Sequence, residues 1–273
     1  MKKQQTIAIV NDISGFGRCS VTVALPILSS MKIKCAILPT AILSNHTEYP
    51  EYTFFDFTEY MDEYIKTWKS LNFQFDGIYT GYLGSKEQIS IIKKMLTTFS
   101  FKKIVVDPVM GDGGKLYPAY TEKMCNALKQ LVACATLTTP NLTELCILTD
   151  TSYRNDFSET EILEMCEKLY NLGPQQIIVT GIKKGSQIGN AIYDGEHFEI
   201  LYHNQILPLR PGTGDVFASI IAGESLHNTP LKTAVQKASS FIELCLTESA
   251  GMNIPLNDGV CFEEHLHHLM SVR

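Results

Sequence analysis

The 273-residue sequence predicts an α/β fold in which a mostly parallel central sheet is flanked by helices. Short β-branched runs alternate with longer amphipathic segments along almost the whole length. Polar and glycine-rich clusters fall just after the strand candidates, where open parallel sheets bind ligands. Neither a linker, a repeat nor a low-complexity stretch breaks the pattern, so residues 1–273 read as one domain.

Strands are expected at Ile7 to Val10, Lys34 to Leu38, Gly77 to Thr80, Lys103 to Asp107, Ala135 to Thr138 and Gln176 to Thr180, each a short run of mainly apolar and β-branched residues. Helices are expected between them at Ser20 to Ser30, Phe57 to Leu71, Lys86 to Phe99, Thr121 to Val132, Asn141 to Thr149 and Ser158 to Leu172. Ser158 and Glu161 have the spacing of a capping box, in which each side chain satisfies the other's backbone amide. After Thr180 the runs Ile188 to Tyr193 and His197 to Tyr202 alternate around Asp194-Gly195, a hairpin signal. The tail then reads as helical over Asp215 to Ser225, Leu231 to Leu246 and Phe262 to Met270.

Composition narrows the function classes. With 23 basic and 29 acidic side chains the formal net charge is −6, and no basic run exceeds Lys2-Lys3, which argues against a nucleic-acid partner. The eight cysteines contain no C-x-x-C pair and sit mostly in apolar stretches, as reduced core residues do. Lys2 and Lys3 imitate a signal-peptide start, but the apolar run from Thr6 stops at Asn11-Asp12, and no charge-free stretch reaches the roughly 18 residues of a membrane span. The expectation is a soluble, cytoplasmic protein without a membrane partner.

Gly15-Phe16-Gly17 imitates a dinucleotide fingerprint, yet Ser20 stands at the third glycine position and no acid follows near Cys35 to Pro39. Gly113-Gly114-Lys115 imitates a phosphate loop, but Val109 and Leu116 replace its leading Gly and its final Ser or Thr. The strongest signal is Arg210-Pro211-Gly212-Thr213-Gly214-Asp215, directly before a helix. Glycines at that point expose backbone N–H groups at the positive end of the helix dipole, a site for anionic oxygens. Asp215 reads equally well as a simple helix cap and as a carboxylate facing that pocket.

Gly212-Thr213-Gly214-Asp215 resembles the anion-hole and catalytic-base motif of the ribokinase-like small-molecule kinases. Ser44-Asn45-His46-Thr47, Gly81-Tyr82-Leu83-Gly84-Ser85, Asp107-Pro108-Val109-Met110-Gly111-Asp112 and Thr139-Pro140-Asn141-Leu142-Thr143-Glu144 resemble further blocks of the pyridoxal kinases, in the same order. The resemblance implies a ribokinase-like, Rossmann-like three-layer fold without a sizeable lid domain. It implies ATP-dependent phosphorylation of the 5′-hydroxymethyl group of a vitamin B6 vitamer, with Asp215 as general base and Gly212, Thr213 and Gly214 holding the transferred phosphoryl. By the same resemblance Asn11, Asp12, Thr47 and Tyr82 border the substrate. Asp107, Asn141, Glu144 and Thr180 attend ATP, while Asp112 and Glu144 hold Mg²⁺ largely through water. A monovalent cation such as K⁺ and a homodimer belong to the same set of expectations.

Asn11-Asp12 departs from the Ser-His pair of familiar pyridoxal kinases and resembles the Ser-Asp-Ser-Ser-Gly-Gly loop of hydroxymethylpyrimidine kinases. Those enzymes carry Cys at the position of Asp215. A hydroxymethylpyrimidine (phosphate) kinase of thiamine synthesis and a non-catalytic ligand-binding relative therefore stand as alternatives. His265, His267 and His268 read as a half-exposed helix face rather than a metal cluster, and the aromatic stretch Tyr49, Tyr52, Phe54, Phe55 and Phe57 reads by default as packing.

Overall fold

A computed structural model describes residues 4–118, 120–252 and 254–270. The chain runs β1 (Thr6–Ser14), α1 (Ser20–Ser30), β2 (Lys34–Leu43), β3 (Phe54–Asp56), α2 (Thr58–Ser70), β4 (Gly77–Thr80), α3 (Lys86–Thr98) and β5 (Lys103–Val106). It continues through β6 (Gly111–Asp112), β7 (Lys115–Leu116), α4 (Glu122–Val132), β8 (Leu137–Thr138), α5 (Leu142–Leu148) and α6 (Glu159–Tyr170). A meander of β9 (Ile177–Lys184), β10 (Gln187–Tyr193) and β11 (Phe198–Asn204) precedes α7 (Thr213–Leu226) and α8 (Leu231–Gly251).

Nine strands form one sheet in the order β11-β10-β9-β8-β5-β4-β1-β2-β3. The six strands from β9 to β2 are parallel, and β3, β10 and β11 are the antiparallel additions at its two sides. Side-chain alternation along a strand divides the core into two faces. On β1, Ala8 and Val10 pack into a cluster with residues of α2 to α6, and Ile7 and Ile9 pack into another with α1, α7 and α8. The result is the expected three-layer α/β architecture. All four residues of β4 are buried, as befits a strand covered on both faces. Gly223 lets α7 approach α1, since a Cβ there would meet the Met31 thioether at 2.5 Å.

Several elements differ from the sequence expectation for identifiable reasons. β1 runs on through Asn11 and Asp12 to Ser14, with a bulge between Asn11 and Ile13, because β2 also continues and keeps pairing with it. The aromatic stretch is not simply packed: Phe54–Asp56 forms the edge strand β3 against Ala41 to Leu43, leaving Phe54 and Phe55 exposed. Phe57 does pack against the core. The final helix expected over Phe262 to Met270 is a 3₁₀ helix, Glu263–Leu269. Among the cysteines Cys134 is exposed rather than core, and all eight are free thiols.

No helix among the described residues is long and apolar enough to cross a membrane. The Lys2-Lys3 pair lies outside the described residues.

Candidate active site

Parallel strands β1, β4, β5, β8 and β9 end on one rim, and nearly every residue singled out above lies along it. At the end of β1, Asn11 Oδ1 accepts hydrogen bonds from the Tyr82 N–H at 2.8 Å and the Asp12 N–H at 3.0 Å. Asn11 is thereby fixed to the loop after β4, while its buried Nδ2 has no hydrogen-bond partner. Asp12 is buried, and its two carboxylate oxygens accept from Ser14 Oγ at 3.1 Å and Ser20 Oγ at 2.5 Å. Burial raises its proton affinity against the effect of these hydroxyls. Tyr82 stands close enough to Asp12 and Asp56 for burial and their charges to push its phenol up.

The loop before α7 meets this pocket from the other layer. Gly212 is the N-cap at φ +81°, and a Cβ there would lie 2.0 Å from the Arg18 carbonyl oxygen, so the position requires glycine twice over. The first bond of the helix is Val216 N–H to Gly212 O, at 2.9 Å. The amides of Thr213, Gly214 and Asp215 precede it and belong to the turn that has no partners within the helix. Thr213 Oγ donates to the Arg210 carbonyl at 2.8 Å, and Gly214 is exposed with open space beside it. The Asp215 carboxyl is pushed up to about 7, chiefly by burial and further by Asp12, against the Ser20 amide and the Asn11 side chain, which favour its charge.

Across the rim, Asp107 follows β5 and accepts from Thr139 Oγ at 3.0 Å. Burial, then the charge of Asp215, pushes its carboxyl up to about 8. Asn141 and Glu144 form a complete capping box on α5. Glu144 accepts from the Asn141 N–H at 2.8 Å on one oxygen and from the Met110 N–H at 3.0 Å on the other, and Asn141 Nδ2 donates to the Gly111 carbonyl at 2.8 Å. The loop after β5 is thus fastened to the start of α5. Glu144 is buried, and burial with the Asp107 charge holds its proton affinity well above the usual carboxylate range.

Thr180 lies beside Asn141 in a parallel bridge, its N–H bonded to the Pro140 carbonyl at 2.9 Å. Asp112 lies instead on the exposed β6–β7 hairpin, where it accepts from the Gly113 N–H. Thr47 is exposed in the loop after β2. The structure therefore brings Asp12, Asp107 and Asp215 within electrostatic reach of Tyr79, with Glu144 next to Asp107. No group of three or more His, Cys, Asp or Glu side chains among the described residues is close enough to hold a metal directly.

Sequence reasoning missed the residues that tie the site to the C-terminal segment. His46 Nε2 lies 2.6 Å from the Asn257 carbonyl oxygen, Tyr49 Oη donates to Asp258 at 2.6 Å, and Arg18 pairs with Glu263 at 2.7 Å. Arg210 points away from the anion loop it precedes. Its buried guanidinium donates to the carbonyls of Ser249, Ile254, Pro255 and Gly259. None of these partners lies near in sequence, so no local spacing signals them.

A three-layer sheet whose rim sets buried carboxylates against a glycine-led helix N-terminus is the layout of the ribokinase-like class. Within it, the chain belongs to the phosphomethylpyrimidine kinase family, whose model matches residues 28–259. A protein of Bacteroides thetaiotaomicron, provisionally described as a phosphomethylpyrimidine kinase, is 39% identical with a TM-score of 0.96, the match covering 100% of this chain and 96% of that one. An orthorhombic form of that protein was solved with pyridoxal. The pyridoxal kinase of Lactobacillus plantarum is 28% identical with a TM-score of 0.92, covering 98% of this chain and 97% of that one. The thiamine biosynthetic bifunctional enzyme TH1 of Arabidopsis thaliana is 27% identical over 91% of this chain, which spans about half its length, 47%.

Proposed function

We propose that the chain is an ATP-dependent kinase that phosphorylates the 5′-hydroxymethyl group of a B6 vitamer, pyridoxal, pyridoxamine or pyridoxine. The observation that carries this reading is Asp215. It opens α7 beside amides that no helix bond uses, and its carboxyl is pushed up to about 7. Such a carboxylate takes a proton from an alcohol near neutral pH, and the amides next to it stabilise charge on an incoming phosphoryl group. Phosphoryl transfer asks for this kind of positioning and charge stabilisation more than for covalent chemistry.

The donor set suits a hard cation. Glu144 is buried and Asp107 half-buried; the Asp107 charge raises the proton affinity of Glu144, and Asp215 raises that of Asp107. Mg²⁺, when bound with ATP, would neutralise phosphate charge there. Asp107 is the side chain free to face it, whereas Glu144, Asn141 and Asp112 act through the loops they fix or through water. Thr180 extends the same wall toward the nucleotide. Asn11, Asp12 and Tyr82 form the acceptor side, where the Asn11 side chain also faces the Asp215 carboxyl.

The second reading, a hydroxymethylpyrimidine or hydroxymethylpyrimidine phosphate kinase, is favoured by Asn11-Asp12 and by the family model. Pyridoxal in the Bacteroides relative and Asp rather than Cys at position 215 support the vitamer. Measuring ADP release with ATP and Mg²⁺ against both groups of alcohols tests the choice. Higher kcat/KM on hydroxymethylpyrimidine than on every vitamer overturns the first reading, and no turnover on either leaves a binding protein. We also propose a homodimer, for which the exposed Phe54 and Phe55 of edge strand β3 offer an apolar contact, and light scattering that gives a monomer at micromolar concentration contradicts it.

A further inference from the structure

Among the described residues, five that are not glycine have left-handed backbone angles: Ser20, Lys32, Asn72, Asp150 and Asn228. Four of them are explained by helix endings. Lys32, Asn72, Asp150 and Asn228 each stand two residues past the last residue of α1, α2, α5 and α7, where a left-handed residue commonly closes a helix. Ser20 is different, because it opens α1 at φ +51° directly after Cys19 in an extended conformation at φ −155°. No helix-terminating hydrogen bond requires the left-handed region there, and an L-residue other than Asn, Asp or Gly adopts it at a cost.

Capping does not explain it either, since α1 has no side-chain cap. The Ser20 hydroxyl is committed elsewhere, to Asp12 Oδ1 at 2.5 Å. Its backbone N–H, at the positive end of α1, faces the Asp215 carboxylate and favours its charge. Ser20 is buried, and so is Asp12. One residue therefore touches a carboxylate at the end of β1 with its side chain and faces a carboxylate at the start of α7 with its main chain. Those two carboxylates repel each other, and Ser20 supplies a donor to each.

We propose that Ser20 is a positioning residue: its hydroxyl holds Asp12 and its left-handed backbone turns an amide toward Asp215, which fixes the acceptor-side carboxylate relative to the one that takes the proton. The role rests on the kinase reading above and deepens it. Strained backbone that persists without a structural need is a recurrent mark of functional sites. A small displacement of a positioned group lowers turnover more than it changes ground-state binding of the other substrate.

Ser20→Gly and Ser20→Ala separate the two parts of the role. Both lose the hydroxyl, but glycine accepts φ +51° freely and alanine does not. Ser20→Gly is expected to melt above Ser20→Ala, while both lower kcat on the acceptor alcohol by between about ten- and a hundredfold with the KM for ATP within about twofold of the unsubstituted chain. Ser20→Asn, which tolerates the left-handed region and restores a donor, is expected to recover turnover above both. Wild-type kcat in Ser20→Gly or Ser20→Ala overturns the proposal. So does a fall in kcat that tracks melting temperature across the variants, or an equal rise in the KM for ATP. The unsubstituted chain is assayed first on both groups of alcohols, and failure on all of them overturns the kinase reading and this role with it, an outcome distinct from any obtained in the variants.

Discussion

At one end of the rim Asn141 and Glu144 satisfy each other, and the loop carrying Met110 and Gly111 is bonded to the same two side chains. At the other end the Asn11 side chain faces Asp215, and Asp12 accepts from the hydroxyls of Ser14 and Ser20. The loop between Ser44 and Tyr49 is anchored there by residues more than two hundred positions away in the chain, Asn257 and Asp258. The end at Glu144, proposed to attend the nucleotide, is thus fastened by its own local hydrogen bonds. The end at Asn11 and Asp12 is assembled from distant pieces.

The sharpest way to break this division is at the group between the two ends. Asp215→Asn keeps shape and removes the proposed base, so kcat is expected to fall by roughly 10² to 10⁴ while circular dichroism shows a folded protein. Near-wild-type turnover removes Asp215 from the mechanism. Next in size, Glu144→Gln leaves one of two buried backbone N–H groups facing an NH₂ that donates and cannot accept. A loss of about 1–3 kcal/mol in urea unfolding is expected, together with a raised KM for ATP and an unchanged KM for the acceptor. A change confined to the acceptor KM breaks the assignment of the two ends.

A third test uses pH. The Asp107 carboxyl sits at about 8 in the fold against an ordinary 3.8, so the unfolded chain gives up that proton first as pH rises. Its contribution to stability is therefore fully present below about 4 and lost as pH climbs through about 8. Asp107→Asn is expected to raise the melting temperature at pH 8 and to leave it unchanged at pH 4, as scanning calorimetry at the two values would show. An equal shift at both denies that Asp107 is a buried charge. The smallest effect is expected of Tyr49→Phe, which loses one hydrogen bond to Asp258 and costs about 0.5–1.5 kcal/mol, with a modest rise in the acceptor KM alone.

The same contrast explains what the sequence disclosed. The capping box at Ser158 and Glu161 forms as its spacing predicts, and Gly212 to Asp215 opens a helix at the expected place, starting two residues earlier at Thr213. These are local features, in which residue type and separation determine the geometry. Edge strand β3 was not legible because three exposed residues, two of them aromatic, pair with β2 only once β2 extends past Leu38 to meet them. The left-handed turn at Ser20 and the carbonyl contacts of Arg210 depend on segments far apart in the chain, and their sequences carry no periodicity or turn signature. Arg210 in particular looks in sequence like part of the anion loop, and in the structure it serves the residues from Ser249 to Gly259.

That long-range fastening has a consequence for how the protein is made. Synthesis runs from the N-terminus to the C-terminus, so β1 with its Asn11 and Asp12 emerges well before α7 with Asp215. The loops beside Asn11 and Asp12, through Arg18, His46 and Tyr49, then wait for Asn257, Asp258 and Glu263 to leave the exit tunnel. The sheet between β1 and β5 has its partners long before that moment. A nascent chain can thus hold much of its core while its pocket is still open on one side, until the stretch from Asn257 to Glu263 closes it.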